Sequence, residues 1–316
     1  MSAAGEITAP AAKAKRGLPV GLVTVLLLKG AKLAKLFAIG KPVLTFGTMA
    51  VSLFAYAFFL GPWFGVLFVL LLLIHEMGHV AAMKLKGFAT PTPVFIPFFG
   101  AAVFAPHFGS RQDEAIIGYA GPLLGSAAAL ALFGLYFLAP RDSELATILL
   151  AASYAGVFLN LFNLLPISPL DGGRVTQAVG RWFRYIGLIL LAAFSVLLRE
   201  PQILLIWILV LADLKFIPAR IRAGLAVLLT VSMLALMLAG YGDMSWVWIV
   251  VDGLLAAFFT YGMILDARQP PGVQRDDRPG LTVPQRGAWL VLYVGLVAVL
   301  GITLAVQSQY VAPILG

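Results

Sequence analysis

The 316 residues are 61% hydrophobic and only 11% charged, with a mean hydropathy of +0.98, far from the roughly one-quarter charged residues of an ordinary soluble domain. That composition excludes a water-soluble globular enzyme, and the absence of cysteine excludes disulfides and thiolate metal ligands. The net charge of +8 is spread over short loops beside apolar runs. No soluble domain is large enough to form a nucleic-acid groove, so the charge reads as membrane topology.

The chain opens with "MSAAGEITAPAAKAKRG", small, polar and basic, and the adjoining "LPVGLVTVLLLKGAKLAKLFAIGK" has no small-residue cleavage pattern. Residues 1 to 42 therefore read as a cytoplasmic basic arm. Within it Lys29, Lys32 and Lys35 recur at helical spacing among leucines, the pattern of an amphipathic helix on an anionic bilayer surface. Apolar runs come next, near residues 43 to 60, 64 to 83, 116 to 138, 145 to 165, 185 to 198, 202 to 217, 223 to 240, 245 to 265 and 287 to 307. Solidly apolar runs of this kind are helices, because lipid leaves no other way to satisfy the backbone of an open segment. The expected fold is an all-α polytopic membrane protein of about nine spans. The fifth and sixth runs are short and flank "REPQ", so two crossings or one re-entrant hairpin fit equally. With the N-terminus cytoplasmic, Arg141 and Arg199 fall on the far side and every other Lys and Arg on the cytoplasmic side, as the positive-inside rule requires.

The second run ends in "LLLLIHEMGHVAAMKLKGF", residues 70 to 88. Ionisable groups at membrane depth are expensive and functional by default, and two of the chain's three histidines fall in this one pentapeptide. His75 and His79 are one helical turn apart on the same face. H-E-x-x-H is the spacing by which a helix offers two imidazoles to zinc and sets a carboxylate, here Glu76, beside the water to be activated. The chemistry indicated is amide hydrolysis.

A hydrolytic zinc site takes a third protein ligand, and His107, Glu114, Asp171 and Asp252 are the candidates. His107 lies in a loop-like stretch, Glu114 starts a helix, and Asp252 falls towards the far side. Asp171, in "NLFNLLPISPLDGGR", comes after prolines that stop a span running inwards, at the depth and on the side of the histidines. Topology favours Asp171.

With both motifs in view, the chain resembles the site-2 protease family of intramembrane zinc metalloproteases. "HEMGH" is similar to that family's H-E-x-x-H, and "NLLPISPLDGG" to its N-x-x-P-x-x-x-x-D-G signature. The resemblance covers about residues 43 to 184, which makes that stretch the expected catalytic membrane core and residues 185 to 316 additional helices. It implies one zinc ion held by His75, His79 and Asp171, Glu76 as catalytic acid/base, and Asn163 hydrogen-bonding near the scissile peptide. The implied substrate is a membrane-spanning segment of another protein. The short basic N-terminus favours a bacterial inner membrane, and the topology opens the site towards the cytoplasm. "PTPVFIPFFGAAVF", residues 91 to 104, is β-prone and resembles the family's membrane-associated strand or hairpin, with Val94, Phe95, Ile96 and Gly100 as expected substrate contacts. Some members have asparagine three residues after the Gly121-Pro122 step, where this chain has Gly125; Gly118, Gly121, Gly125 and Ser126 read as close helix packing. Two rival readings use the same ligands: a metal-ion transporter and a catalytically silent scaffold.

Overall fold

The computed structural model describes residues 43–90, 92–96, 100–102, 108–198, 201, 203–214, 217–240, 246–268 and 278–315. The amphipathic helix expected within residues 1–42 lies outside them. Helix α1 runs Val43–Leu60. Gly61, at φ +93°, turns the chain into α2 (Pro62–Leu85), and Pro62 occupies the first helical position, where its missing N–H is no loss. Helix α2 closes through Lys86 and Gly87 (φ +75°), and the Phe88 N–H reaches back to the Met83 carbonyl at 2.9 Å, a glycine-terminated helix end.

Strands β1 (Val94–Ile96) and β2 (Gly100–Ala102) pair antiparallel, with Phe95 opposite Ala101. Phe88 and Phe108 meet edge-to-face at 5.4 Å across the neck of this excursion, and Lys86 Nζ lies 3.1 Å from Asp113 Oδ1 just outside it. Helix α1 holds β1 by its backbone: Thr45 Oγ1 donates to the Pro93 carbonyl at 2.9 Å, and the Phe95 N–H donates to Thr48 Oγ1 at 3.1 Å.

Helix α3 (Arg111–Tyr136) is capped by Ser110, which accepts from the Asp113 N–H at 3.1 Å. Ser143 caps α4 (Glu144–Asn163) in the same way through Ala146. A proline-rich turn containing the cis peptide Ser168–Pro169 leads to α5 (Asp171–Val179). The remaining helices are α6 (Phe183–Leu198), α7 (Ile203–Asp213), α8 (Ala219–Leu238), α9 (Trp246–Arg268) and α10 (Val283–Leu315).

Among the described residues six helices, α1, α2, α3, α4, α8 and α10, have the length and hydropathy to cross a bilayer, and the protein is an integral membrane protein. The count is below the nine expected. Helices α6 and α7, at 16 and 11 residues, reach only about 24 Å and 17 Å against the roughly 30 Å of hydrocarbon. Trp207 Nε1 of α7 donates to Ser195 Oγ of α6 at 2.9 Å, joining the two short helices.

Two buried cores flank the turn between α4 and α5. Leu164 belongs to one, with Leu71, Ala129, Val157, Val175, Tyr293 and Leu300. Leu165 and Ile167 belong to the other, built by α6 to α9 around Leu191, Ile208, Met233 and Ala256. That second bundle buries Arg222, whose guanidinium donates to the Ala212 and Ile217 carbonyls (2.8 and 3.1 Å) and to Asp266 Oδ2 (2.8 Å). A buried cation is tolerated only when paired in this way.

Candidate metal centre

Helical pitch sets His75 and His79 on one face of α2, their rings 4.9 Å apart, and both are buried together with Glu76. The start of α5 brings the buried carboxylate of Asp171 to them across 96 positions of sequence. His75 Nε2, His79 Nε2 and Asp171 Oδ2 form a triangle with every side 3.2 Å. Zinc bonds of about 2.0–2.1 Å in tetrahedral geometry imply ligand-to-ligand edges of about 3.3 Å. The donor set of two imidazole nitrogens and one carboxylate oxygen also suits zinc, so these residues fit the ion. They are the one such group of three among the described residues.

The partners behind the ligands fix their protonation. The His79 Nδ1–H donates to the Ile117 carbonyl at 2.7 Å, and a carbonyl can only accept, so the lone pair of His79 is on Nε2. The His75 Nδ1–H donates to Asn160 Oδ1 at 2.8 Å, while Asn160 Nδ2 donates to the Gly156 carbonyl at 2.8 Å and keeps its oxygen turned to the histidine. Both imidazoles are thereby oriented for metal binding.

Glycines make the space. A Cβ on Gly121 would lie 2.2 Å from His79 Nε2, and one on Gly125 would lie 2.5 Å from Asn160 Oδ1. Gly125 therefore leaves room for the amide that α4 supplies. Gly172 packs so closely on the preceding turn that its Cβ would meet the Leu164 carbonyl oxygen at 2.1 Å.

Of the other sequence candidates, Glu114 accepts from Arg278 Nη1 at 2.8 Å, and Asp252 is buried on α9 apart from the triangle. His107 lies outside the described residues. Asn163 is half-buried and donates through Nδ2 to the Leu159 carbonyl at 3.1 Å. Val94 and Phe95 are on β1, with Phe95 buried at 2% exposure, and Ile96 pairs with Gly100 across the strands. Sequence reasoning overlooked Asn160. Its available signal was a polar residue inside an apolar span, one turn before Asn163.

Comparison with known proteins gives relatives of one kind. A zinc metalloprotease of Methanocaldococcus jannaschii is 29% identical over 120 residues, covering 37% of this chain and 35% of that protein. A putative zinc metalloprotease of Mycobacterium tuberculosis is 28% identical over 123 residues (38% and 31%), and a probable chloroplastic zinc metalloprotease of Arabidopsis thaliana is 29% identical over 157 residues (36% and 28%). The chain thus spans about a third of the length of the curated relatives it matches. Among solved structures, the site-2 protease of M. jannaschii aligns with a TM-score of 0.38 at 19% identity, covering 73% of this chain and 91% of that one. No protein-family model matches.

Proposed function

We propose that this chain, a relative of proteins named as zinc metalloproteases, is a protease of the site-2 type that hydrolyses peptide bonds in or near membrane-spanning segments of other proteins. The observation that carries the reading is the buried triangle of two Nε2 atoms and one carboxylate oxygen with buried Glu76 beside it. When bound, zinc supplies the Lewis acidity that acidifies water and polarises a carbonyl. His75, His79 and Asp171 hold the ion. Glu76 takes the proton from the attacking water and delivers it to the leaving amide nitrogen. Asn163 hydrogen-bonds near the scissile peptide, and Asn160 and the Ile117 carbonyl keep the imidazoles aimed.

A peptide enters this scheme in extended form by pairing with a strand edge. Because Thr45 and Thr48 occupy backbone groups along one edge of β1 and β2 takes the other, the outer edge of β2, beginning at Gly100, is the pairing edge in this proposal. Residues 43–184 form the catalytic unit and residues 185–316 support it. The N-terminus and the opening of the site face the cytoplasm, in a bacterial inner membrane.

The test compares membranes of cells producing the wild type with those of cells producing Glu76→Gln, sequencing new protein termini. Termini within apolar segments, present for the wild type and lost in Glu76→Gln, are expected. Identical termini in the two would overturn the proposal.

A further inference from the structure

Helix α10 lies outside the stretch that carries the two motifs, yet it reaches the turn that delivers Asp171. Tyr293, 7% exposed, donates its hydroxyl to the carbonyl of Leu164, itself 1% exposed. That peptide is joined to both halves of the metal centre. The Leu164 N–H donates to the Asn160 carbonyl at 3.1 Å, and Asn160 holds His75. The Leu164 oxygen is packed on Gly172, the residue after Asp171, with no room for a Cβ between them. Tyr293, Leu164 and Val175 of α5 also share one buried core. A shift of the Leu164 carbonyl therefore moves the Asp171 carboxylate and the Asn160 amide together.

From this juxtaposition we infer that Tyr293 is a positioning residue of the metal centre, so that α10 sets how firmly the ion is held. The inference rests on the metal-dependent reading above. Metal sites tolerate displacements of only about 0.2 Å, and loss of a group that orients ligands typically lowers affinity about 10- to 100-fold. Tyr293 acts one bond further out, so the lower end of that range applies.

The helix does not depend on this bond for its attachment. Tyr119 donates to the Leu292 carbonyl at 3.0 Å, Gln285 Nε2 to Gln112 Oε1 at 3.1 Å, and Gln307 Nε2 to Ser153 Oγ at 2.7 Å. Tyr293→Phe thus removes a single hydroxyl and leaves α10 in place. Gln307→Met is the matched control: it breaks an α10 to α4 bond two turns of α4 away from Asn160.

The experiment measures zinc release to a chelator, and the visible spectrum of the cobalt(II)-loaded protein, for the full chain in detergent. Tyr293→Phe is expected to release zinc about tenfold faster and to shift the cobalt bands, while Gln307→Met matches the wild type in both. Unchanged release and spectrum in folded Tyr293→Phe would overturn the inference, as would an equal change in Gln307→Met, which would reduce the effect to general loosening. If Tyr293→Phe does not fold, Tyr293→Met, which also fills apolar volume and lacks a donor, is judged by the same two outcomes. A folded wild type that binds neither metal would instead refute the metalloprotease reading.

Discussion

Replacing Gly121 by alanine should empty the metal site while leaving the fold standing. An added Cβ would sit 2.2, 2.4 and 2.7 Å from Nε2, Cε1 and Cδ2 of the His79 ring. Ordinary contact needs about 3.5 Å, so the ring must retreat by roughly 1.3 Å or α2 and α3 must separate by a similar amount. Either response is several times the ~0.2 Å that metal–ligand distances allow. Neither neighbour can yield freely, because the His79 Nδ1–H is tied to the Ile117 carbonyl one turn back on α3. We expect zinc affinity to fall at least tenfold, measured as zinc per chain after washing the detergent-purified protein with a graded chelator. Gly134→Ala is the control on the same helix, where a Cβ meets nothing within 4 Å; its zinc content should match the wild type. A folded Gly121→Ala chain with wild-type zinc would refute the reasoning from His79 packing.

The same geometry sets the outcome of other substitutions. Asp171→Ala should lose the metal, as shown by elemental analysis, whereas Glu114→Ala, which breaks the pair with Arg278, should keep it. Glu76→Gln should retain zinc and slow cleavage by about 10²- to 10⁴-fold, the range for loss of a general acid/base; wild-type turnover would remove Glu76 from that role. Asn160→Ala should weaken zinc binding about 10- to 100-fold, while Asn163→Ala should leave metal content unchanged and affect turnover alone. Breaking the α1 contact with Thr48→Val should loosen β1, seen as faster amide exchange at Phe95 with zinc unaffected.

The two motifs were legible because each depends on local spacing: a turn of helix sets His75 beside His79, and prolines with a glycine pair set Asp171 at the start of a helix. The long apolar helices were legible because lipid imposes one solution on the backbone. What escaped depends on contacts between distant segments. Gly121 and Gly125 looked like ordinary helix-packing residues, and only the crossing of α2, α3 and α4 shows that they house His79 and Asn160. Asn160 and Asn163 lie one turn apart on the same span, so choosing which one meets His75 requires the rotation of α4. Hydropathy left α6 and α7 open between two crossings and one hairpin because it measures composition, and their 16 and 11 residues give each a reach shorter than the hydrocarbon layer.

The 96 positions between His75 and Asp171 also order events during biogenesis. As the growing chain leaves the ribosome, α2 enters the bilayer carrying His75, Glu76 and His79 before their acidic partner has been synthesised. Polar side chains in that interval are a burden on insertion, and the flanking leucines of α2 must carry it. Two imidazoles alone make a poor trap for an ion, so under the proposed function metal capture would wait until α3 and α4 have docked and the turn after α4 has delivered Asp171. A nascent or truncated product ending before that turn would lack the third ligand, and the immature protein would be unable to hold its ion firmly until most of its membrane core was assembled.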